Sequence, residues 1–537
     1  MLAKASMAGA PIDDGAGRVR SASLRKKDRF VSNSDSALVS GMTIRPQAAA
    51  DRRAHAARQY VRRPLALAMA AALATSGCGL GDKVGNMFSS SGPKPGTAGY
   101  IKGFLGGVAA DEPRAVVVAQ EVLSAGGNAA DAAVALGFAL AVTLPSRAGL
   151  GGGGGCIAYS PSDKSINQGV PEAILFVPPA PEGVAGRSDR PAALPMLARG
   201  LFALHAKYGQ RPFESLLGSA EQMARFGVPA SRALVRDIQT AAGPLAADPN
   251  ARAVFVPGGQ PLAEGGNLQQ PELATTIAQI RVAGVGDMYQ GTLAHRIEDG
   301  SVLAGGPLTV AQLRTALPRA APALVLTAGT DSVAFLPPPA DGGLAAAAAF
   351  TVLQEKPNDF DAAQARALAV AATWRASGGD PMTVLRQPAS GGSLPSLPAS
   401  TTFATLDKDG NAVVCALTMN NLFGTGRIVP GTGLLLAASP ASVPPPLLAA
   451  GLAWNSNLRG FRAEAGGSGQ SGAPMAVAVG LLRALRSNAP PNPMGPTPVP
   501  DPGRVNAIAC TGYLPDDTRS CGWATDPRGA GLATGGG

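Results

Sequence analysis

Residues 399–427 constrain this chain more than any other part, because they predict a strand, a tight turn and a second strand. The turn is Asp407-Lys408-Asp409-Gly410-Asn411, and this combination of Asp, Gly and Asn favours a β-hairpin. Residues 412–417 follow as an apolar, strand-like run. The hairpin would therefore place the residues before its first strand beside those that follow its second.

Hydroxyl and amide side chains occupy that shared end. Ser400, Thr401 and Thr402 precede the first strand, and Thr418 and Asn420 follow the second. A hydroxyl at the head of a strand, facing polar groups on the hairpin partner, is the layout of an N-terminal nucleophile, in which the chain cuts itself before a Ser or Thr. The freed α-amine, with a pKa near ~8, then serves as general base for the adjacent hydroxyl. This chemistry needs no cofactor, no metal and no histidine, and the chain has only 3 histidines.

The block resembles the γ-glutamyltranspeptidase family. That family's small subunit begins Thr-Thr-His-(Tyr/Phe)-Ser-Val-Val-Asp-x-Asp-Gly-Asn-Ala-Val and continues to Thr-x-Asn-x-x-Phe-Gly-(Ser/Thr)-Gly, which residues 418–426 match without a gap. Residues 126–131 (Gly-Gly-Asn-Ala-Ala-Asp), the glycine-rich residues 149–155 and residues 526–531 resemble other family segments in the same order. The resemblance covers most of residues 99–537. It implies an α/β (α+β) fold, the four-layer αββα sandwich of N-terminal-nucleophile hydrolases.

Two alignments of the block compete for the nucleophile. Matching Thr-Thr to Thr-Thr selects Thr401 but leaves the segment up to Asp407 one residue short. Anchoring on Asp407 instead brings Phe403 onto the family's aromatic residue and Ser400 onto the nucleophile, with cleavage between Ala399 and Ser400. A one-residue slip turns every side chain of a strand to the opposite face, so both alignments cannot hold. We favour Ser400, with Thr401 as the alternative.

The resemblance also implies roles for residues further along the chain. Thr418 would hydrogen-bond the nucleophile, Asn420 would help to hold the substrate, and Gly466 and Gly467 of a Gly-Gly-Ser segment would supply the oxyanion hole. The implied enzyme forms an acyl-enzyme on the hydroxyl and transfers the acyl group to water or an amine. Residues 99–399 would form its large subunit and residues 400–537, with a Pro-rich tail, its small subunit.

Recognition of a γ-glutamyl group is not visible in the sequence. The family binds the α-carboxylate through the Arg of an Arg-Glu-x-Ala-Pro segment, but here Val177 stands in that place, and valine cannot form a bidentate pair with a carboxylate. The family's Asn-Asn-x-Met-Asp-Asp loop corresponds to residues 437–442, which have no acidic side chain. Arg147 or Arg427 could supply a replacement cation. The alternatives are an acylase for a non-glutamyl amide and a degenerate family member that acts as a cell-envelope binding protein.

The first 98 residues predict export. Residues 1–63 contain 13 Lys and Arg against 5 Asp and Glu and so account for most of the net charge of +9, which leaves no basic patch for nucleic acid in the remainder. The apolar residues 65–74 and the sequence Thr75-Ser76-Gly77-Cys78 are typical of a bacterial lipoprotein signal. We therefore expect a leader over residues 1–77, lipidation of Cys78, a tether over residues 78–98, and a periplasmic protein held to the membrane by its lipid.

Cysteine usage points to the same compartment. Cys510 and Cys521 lie close together in a turn-rich tail and predict a local disulfide, which forms in oxidising surroundings. Cys156 and Cys415 lie inside apolar, strand-like runs and are predicted to be buried small hydrophobes. No spacing of these residues resembles a zinc site.

Overall fold

The structure is a computed structural model that describes residues 103–162, 169–183, 188–388, 391–392, 394, 399–487 and 499–536. The predicted leader, lipidation site and tether lie outside the described residues. Within the described ranges, no helix combines the length and the apolar character needed to cross a bilayer.

The strands form two large antiparallel sheets and two short pairs. The first sheet has the strand order β17-β1-β9-β10-β2-β3-β6, the second β16-β15-β14-β13-β8-β7, and the short pairs are β4-β5 and β11-β12. The strands are β1 (Gly106–Ala110), β2 (Gly153–Tyr159), β3 (Glu172–Phe176), β4 (Val228–Pro229), β5 (Asn267–Leu268), β6 (Arg319–Pro322), β7 (Leu324–Ala328), β8 (Asp331–Phe335), β9 (Ser400–Asp407), β10 (Ala412–Thr418), β11 (Ile428–Val429), β12 (Leu434–Leu435), β13 (Ala449–Asn455), β14 (Gly460–Ser468), β15 (Arg504–Leu514), β16 (Cys521–Thr525) and β17 (Leu532–Gly535).

Helices lie on the outer surfaces of both sheets. They are α1 (Pro113–Ser124), α2 (Ala129–Thr143), α3 (Pro145–Ala148), α4 (Leu197–Tyr208), α5 (Gly218–Phe226), α6 (Arg232–Ala247), α7 (Pro249–Phe255), α8 (Pro271–Ala283), α9 (Asp287–Gln290), α10 (Thr292–Ser301), α11 (Val310–Thr315), α12 (Gly342–Glu355), α13 (Phe360–Ser377), α14 (Pro381–Arg386) and α15 (Ala473–Arg486). The helices α1 and α2 share one core with the first sheet, and α12, α13 and α15 share another with the second.

The side chains of β9 show how the layers stack. Phe403 belongs to the core between the first sheet and its helices. Its neighbours Ala404 and Leu406 belong to a separate core that also contains Leu452 and Ile508 of the second sheet. Because successive side chains of a strand point to opposite faces, β9 is buried on both sides, between helices and the facing sheet. The architecture is the predicted four-layer αββα sandwich.

The glycine-rich run lets neighbouring backbones approach closely. A Cβ on Gly154 would overlap the carbonyl oxygen of Ala416, and one on Gly151 would overlap that of Leu435. The strand β2 begins within this run, at Gly153. Glycine has no Cβ, so the run can pair as a strand in a space where no other residue fits.

The N-terminus of α2 is fixed against the hairpin. Asn128 Oδ1 accepts the backbone N–H of Asp131 at 2.9 Å, and the Asp131 carboxylate accepts the backbone N–H of Asn128 at 3.1 Å, which completes a capping box. Asp407 Oδ2, in the hairpin turn, accepts the backbone N–H of Ala129 at 3.0 Å. The hydrogen bond between Ala129 and Asp407 therefore joins the start of the helix to the hairpin turn, two segments that lie far apart in the sequence.

All four cysteines of the described residues form disulfides. Cys510 pairs with Cys521 and joins β15 to β16, so this part of the chain is a sheet edge and not an irregular tail. Cys156 and Cys415 are buried, as expected, but they are bonded to each other. The register of β2 against β10 places them directly opposite one another, which the sequence of either strand alone does not reveal.

Candidate active site

The hairpin of β9 and β10 brings the predicted site residues together. Ser400, the first residue of β9, lies directly opposite Thr418, the last residue of β10. The turn is held by Asp407, whose carboxylate accepts the backbone N–H groups of Asp409 and Asn411 and the side-chain amide of Asn411. The local sequence thus sets the register that decides which residues meet at the open end.

The carbonyl oxygen of Ala399 accepts two hydrogen bonds at that end. Thr418 Oγ1 donates to it at 2.6 Å, and the backbone N–H of Met419 donates at 3.4 Å. Thr418 Oγ1 itself accepts the backbone N–H of Asn420 at 2.7 Å, which leaves its single proton for Ala399. Donors aimed at one carbonyl oxygen polarise it and stabilise negative charge that develops there.

The Ser400 hydroxyl is uncommitted. Ser400 is 1% exposed, and its Oγ forms no hydrogen bond with any described residue. The alternation along β9 places it on the same face as Ala404 and Leu406, which is the face between the two sheets. The hydroxyl belongs to the residue that directly follows the polarised Ala399 carbonyl.

The Thr401 hydroxyl lies on the other face of β9. The alternation places it beside Phe403, on the side covered by helices. Its Oγ1 donates to Asp111 Oδ2 at 2.9 Å. Both candidate nucleophiles are therefore at the head of the strand, but only the hydroxyl of Ser400 lacks a partner among the described residues.

Asp111 is a residue of this site that the sequence analysis did not single out. Its carboxylate accepts hydrogen bonds from Thr401 Oγ1, from the backbone N–H of Thr402 at 3.3 Å and from Asn506 Nδ2 at 2.9 Å. Asn506 Nδ2 also donates to the Thr402 carbonyl at 3.0 Å. No motif marks Asp111, because these partners lie 290 to 395 residues further along the chain.

The side-chain amide of Asn420 is hydrogen-bonded to described residues through its nitrogen but not through its oxygen. The residue adopts a left-handed backbone conformation with φ of 58°, and its Nδ2 donates to the Ala438 carbonyl at 2.8 Å. Its Oδ1 is buried and accepts no hydrogen bond from the part of the chain that the structure describes. A buried acceptor without a donor costs roughly 1–3 kcal/mol. The atom is therefore a candidate contact for a group that the intact chain does not supply.

Gly466 and Gly467 lie near the end of β14 in the second sheet and, as neighbours on a strand, point to opposite faces. A Cβ on Gly466 would lie 2.7 Å from Thr402 Cβ of β9, and one on Gly467 would overlap the carbonyl oxygen of Ala473 in α15. Only glycine lets β14 approach β9 and α15 this closely. The structure thus places Gly466 against β9 and Gly467 against α15, and their role in an oxyanion hole stays a prediction.

Neither arginine suggested as a replacement cation is free. Arg147 donates twice to the carboxylate of Asp237, with both distances 2.7 Å. Arg427 donates twice to the carboxylate of Asp189, at 2.8 and 2.7 Å. A carboxylate that already neutralises a guanidinium weakens the attraction of that guanidinium for a second anion. Both residues are therefore poorer replacements for the arginine that is missing at Val177 than an unpaired cation would be.

A cavity of about 470 Å³ adjoins the segment that follows Asn420. Residues 421–426 form one wall, and Ala438 and Ser442, from the loop that replaces the family's acidic segment, form part of another. Leu245 and Pro244 add apolar surface. The lining also contains two charged residues, the ion-paired Asp189 and Arg190, whose guanidinium donates to the Thr425 carbonyl at 3.4 Å.

Glu464 is a buried acid close to the site. It lies on β14 two residues before Gly466, is fully buried, and neither of its carboxylate oxygens is hydrogen-bonded to a described residue. Burial raises the pKa of this carboxyl well above its ordinary value of 4.5. Glu464 is therefore held as a neutral acid between the sheets.

Comparisons with known proteins agree with this geometry. Residues 115–377 match the family described as Gamma-glutamyltranspeptidase. The glutathione hydrolase proenzyme of Escherichia coli (strain K12) is 29% identical over 392 residues, which are 63% of this chain and 66% of that protein. Residues 115–377 are therefore similar to the γ-glutamyltranspeptidase family, and the chain resembles a divergent member of it. The Acylase ACY 1 proenzyme of Pseudomonas sp. (strain SE83) is 31% identical over 227 residues, 39% of this chain and 41% of that protein.

The fold has a solved counterpart. The crystal structure of cephalosporin acylase from Bacillus halodurans matches with a TM-score of 0.65 and 19% identity, over 83% of this chain and 98% of the acylase chain. The chain spans between about one third and two thirds of the length of the curated relatives it matches.

Proposed function

We propose that this chain is a γ-glutamyltransferase-like amidase or acyltransferase that activates itself by cleaving the peptide bond between Ala399 and Ser400. One observation carries the proposal. The Ala399 carbonyl oxygen accepts hydrogen bonds from Thr418 Oγ1 and the Met419 N–H, and the hydroxyl of the next residue, Ser400, has no hydrogen-bond partner among the described residues. A polarised carbonyl next to an unengaged hydroxyl is what an N-to-O acyl shift requires.

In the cleavage step, Ser400 Oγ attacks the carbonyl carbon of Ala399. The developing negative charge on the oxygen is stabilised by Thr418 Oγ1 and the Met419 N–H. The C–N bond then breaks, the hydroxyl proton passes to the nitrogen, and an ester joins Ala399 to Ser400 Oγ. Water hydrolyses this ester, which leaves a carboxylate on Ala399 and a free α-amine on Ser400.

In turnover, the same hydroxyl attacks the amide carbonyl of a substrate, with the Ser400 α-amine as general base. The amide nitrogen leaves with a proton, an acyl-enzyme forms on Oγ, and water or an amine removes the acyl group. Gly466, which packs against β9, and its neighbour Gly467 are the groups we expect to contribute oxyanion donors. Asn420, whose Oδ1 is unpaired, is the residue we expect to contact the substrate.

The contacts at the head of β9 support Ser400 over Thr401 as the nucleophile. Thr401 Oγ1 is bonded to Asp111 and lies on the helix-covered face. Gly466 approaches the opposite face, on which Ser400 lies. Thr418 and Gly466 therefore lie on the side of β9 that carries the Ser400 hydroxyl, and not on the side that carries the Thr401 hydroxyl.

The substrate is an amide, and a specific observation favours an acylase as the second candidate. Val177 replaces the family's arginine, and Arg147 and Arg427 are committed to Asp237 and Asp189. The cavity next to the Asn420 loop has apolar surface from Pro244 and Leu245 that can hold the apolar part of an acyl group, beside the charged Asp189 and Arg190. The similarity to the Acylase ACY 1 proenzyme and the fold shared with a cephalosporin acylase are consistent with this alternative.

We also propose that the protein is exported and anchored to the cell envelope through a lipid on Cys78. The basic leader, the apolar run and the residues before Cys78 support this. Membrane fractionation of cells producing the protein, with Cys78→Ala as control, tests it. Wild-type protein in the soluble periplasmic fraction would contradict the anchor.

Purified protein on a reducing denaturing gel, with N-terminal sequencing of any small fragment, tests the catalytic proposal. A fragment that begins at Ser400 supports it, and one that begins at Thr401 moves the nucleophile. A chain that stays intact on long incubation refutes self-cleavage and favours a binding protein without catalytic activity. Hydrolysis of a γ-glutamyl anilide compared with uncharged acyl anilides then separates the two substrate classes.

A further inference from the structure

The disulfide between Cys156 and Cys415 joins neighbouring strands at the centre of the first sheet. The two residues are directly opposite each other in the pairing of β2 with β10, and both are fully buried. Their sulfur atoms are bonded although 259 residues separate them in the sequence. Cys415 lies on the strand that ends in Thr418, so the bond is part of the framework that carries the candidate site.

The position of this bond relative to the cleavage site gives it a particular consequence. Cys156 precedes the peptide bond between Ala399 and Ser400, and Cys415 follows it. The other disulfide, Cys510–Cys521, lies entirely on the C-terminal side, with a separation of 11 residues. Among the described residues, one of the two disulfides therefore spans the cut.

We infer that the Cys156–Cys415 disulfide covalently joins the two chains that self-cleavage produces. This inference rests on the proposed function, because without cleavage there are not two chains to join. The bond forms when two thiols lose two protons and two electrons to an oxidant, either an exchangeable disulfide or molecular oxygen. An oxidising compartment outside the cytoplasm supplies such oxidants.

The topology explains what a covalent link adds. The first sheet alternates between the two parts of the chain, because β17, β9 and β10 follow residue 399 and β1, β2, β3 and β6 precede it. The folded halves are interleaved and cannot separate without unfolding. Once unfolded, unlinked halves diffuse apart, and refolding becomes a second-order reaction. A disulfide keeps the partner at an effective concentration on the order of mM, so that refolding stays first order.

The test uses the processed wild-type protein with free thiols blocked before denaturation. On a denaturing gel, we expect a single band without reductant and two bands with it. Cys156→Ala and Cys415→Ala should each give two bands without reductant. The double variant Cys510→Ala/Cys521→Ala is the matched control and should stay joined, because its disulfide lies within one fragment.

The outcomes separate this inference from the proposed function. One band with reductant means that the chain has not been cut, and both proposals fail. Two bands without reductant mean that the chain is cut but not linked, so that only the inference fails. Digestion of the blocked wild-type protein should also yield a peptide pair joined through Cys156 and Cys415, a result that does not depend on whether any variant folds.

Refolding supplies a second readout. Oxidised, processed protein diluted from urea should regain its structure with a half-time that does not change with protein concentration. Processed protein that has been reduced and thiol-blocked should slow about tenfold for each tenfold dilution, since two fragments must meet. Equal concentration dependence in the two samples would overturn the inference.

Discussion

Replacing Thr418 with valine removes one hydrogen-bond donor from the scissile carbonyl and also removes the acceptor of the Asn420 backbone N–H. The two side chains have nearly the same shape, but valine cannot donate to the Ala399 oxygen, which the Thr418 hydroxyl approaches at 2.6 Å. The remaining donor, the Met419 N–H, is at 3.4 Å and is weak. Loss of one oxyanion donor typically costs about 2.7–4 kcal/mol in the transition state. We therefore expect Thr418→Val to slow self-cleavage roughly 10²–10³-fold.

The rate is measured by following the uncut chain on reducing gels after synthesis in a cell-free system. Thr418→Ser keeps the donor and should cleave at close to the wild-type rate. Thr405→Val is the matched control on the same hairpin, since Thr405 Oγ1 is buried and bonded to the Ala129 carbonyl far from Ala399. Thr418→Val that cleaves as fast as Thr405→Val would refute the assignment of the donor.

Three further changes test the site and its surroundings. Ser400→Ala should abolish self-cleavage and Thr401→Val should permit it, as shown by gels; the reverse pattern would select Thr401. Burial raises the pKa of Glu464, so its contribution to the free energy of unfolding is full below about pH 4.5 and is lost as pH rises through the raised pKa of the folded state. The free energy of unfolding of the uncut chain is measured by urea titration at several pH values. Glu464→Gln should make this free energy decline less as pH rises, whereas Glu121→Gln, at an exposed position, should keep the wild-type decline. Identical pH profiles for the two variants would contradict this role of Glu464. Asp111→Asn should lower the free energy of unfolding by roughly 1–3 kcal/mol, because it disrupts a carboxylate that accepts three donors, and unchanged urea curves would count against that role.

The sequence predicted the parts of this fold that local patterns determine. Asp407 to Asn411 marked the hairpin turn, because a turn is made by residues a few positions apart. The hairpin then fixed which residues face Thr418. The resemblance to a known family supplied the layer arrangement, which local patterns could not have given.

Contacts between distant segments were not predictable in the same way. Asp111 reaches Thr401 across 290 residues, and nothing in its own neighbourhood signals a site. The pairing of Cys156 with Cys415 depends on the register between two strands that are not consecutive in sequence. An apolar strand containing a cysteine looks the same whether the thiol is free or bonded, so one sequence does not separate the two cases.

The uncut chain contains, within the described ranges, buried hydrogen-bonding groups without partners near the proposed cleavage site, where cleavage would create new hydrogen-bond donors. Ser400 Oγ, Asn420 Oδ1 and Asn506 Oδ1 are buried and have no partner among the described residues. Each buried acceptor without a donor costs roughly 1–3 kcal/mol. Cutting before Ser400 introduces an α-amine with new N–H donors at the first residue of β9, which lies opposite Thr418. We therefore expect more of these buried groups to be hydrogen-bonded in the cut form than in the uncut chain. The precursor would then store at this end part of the free energy that makes its cleavage irreversible.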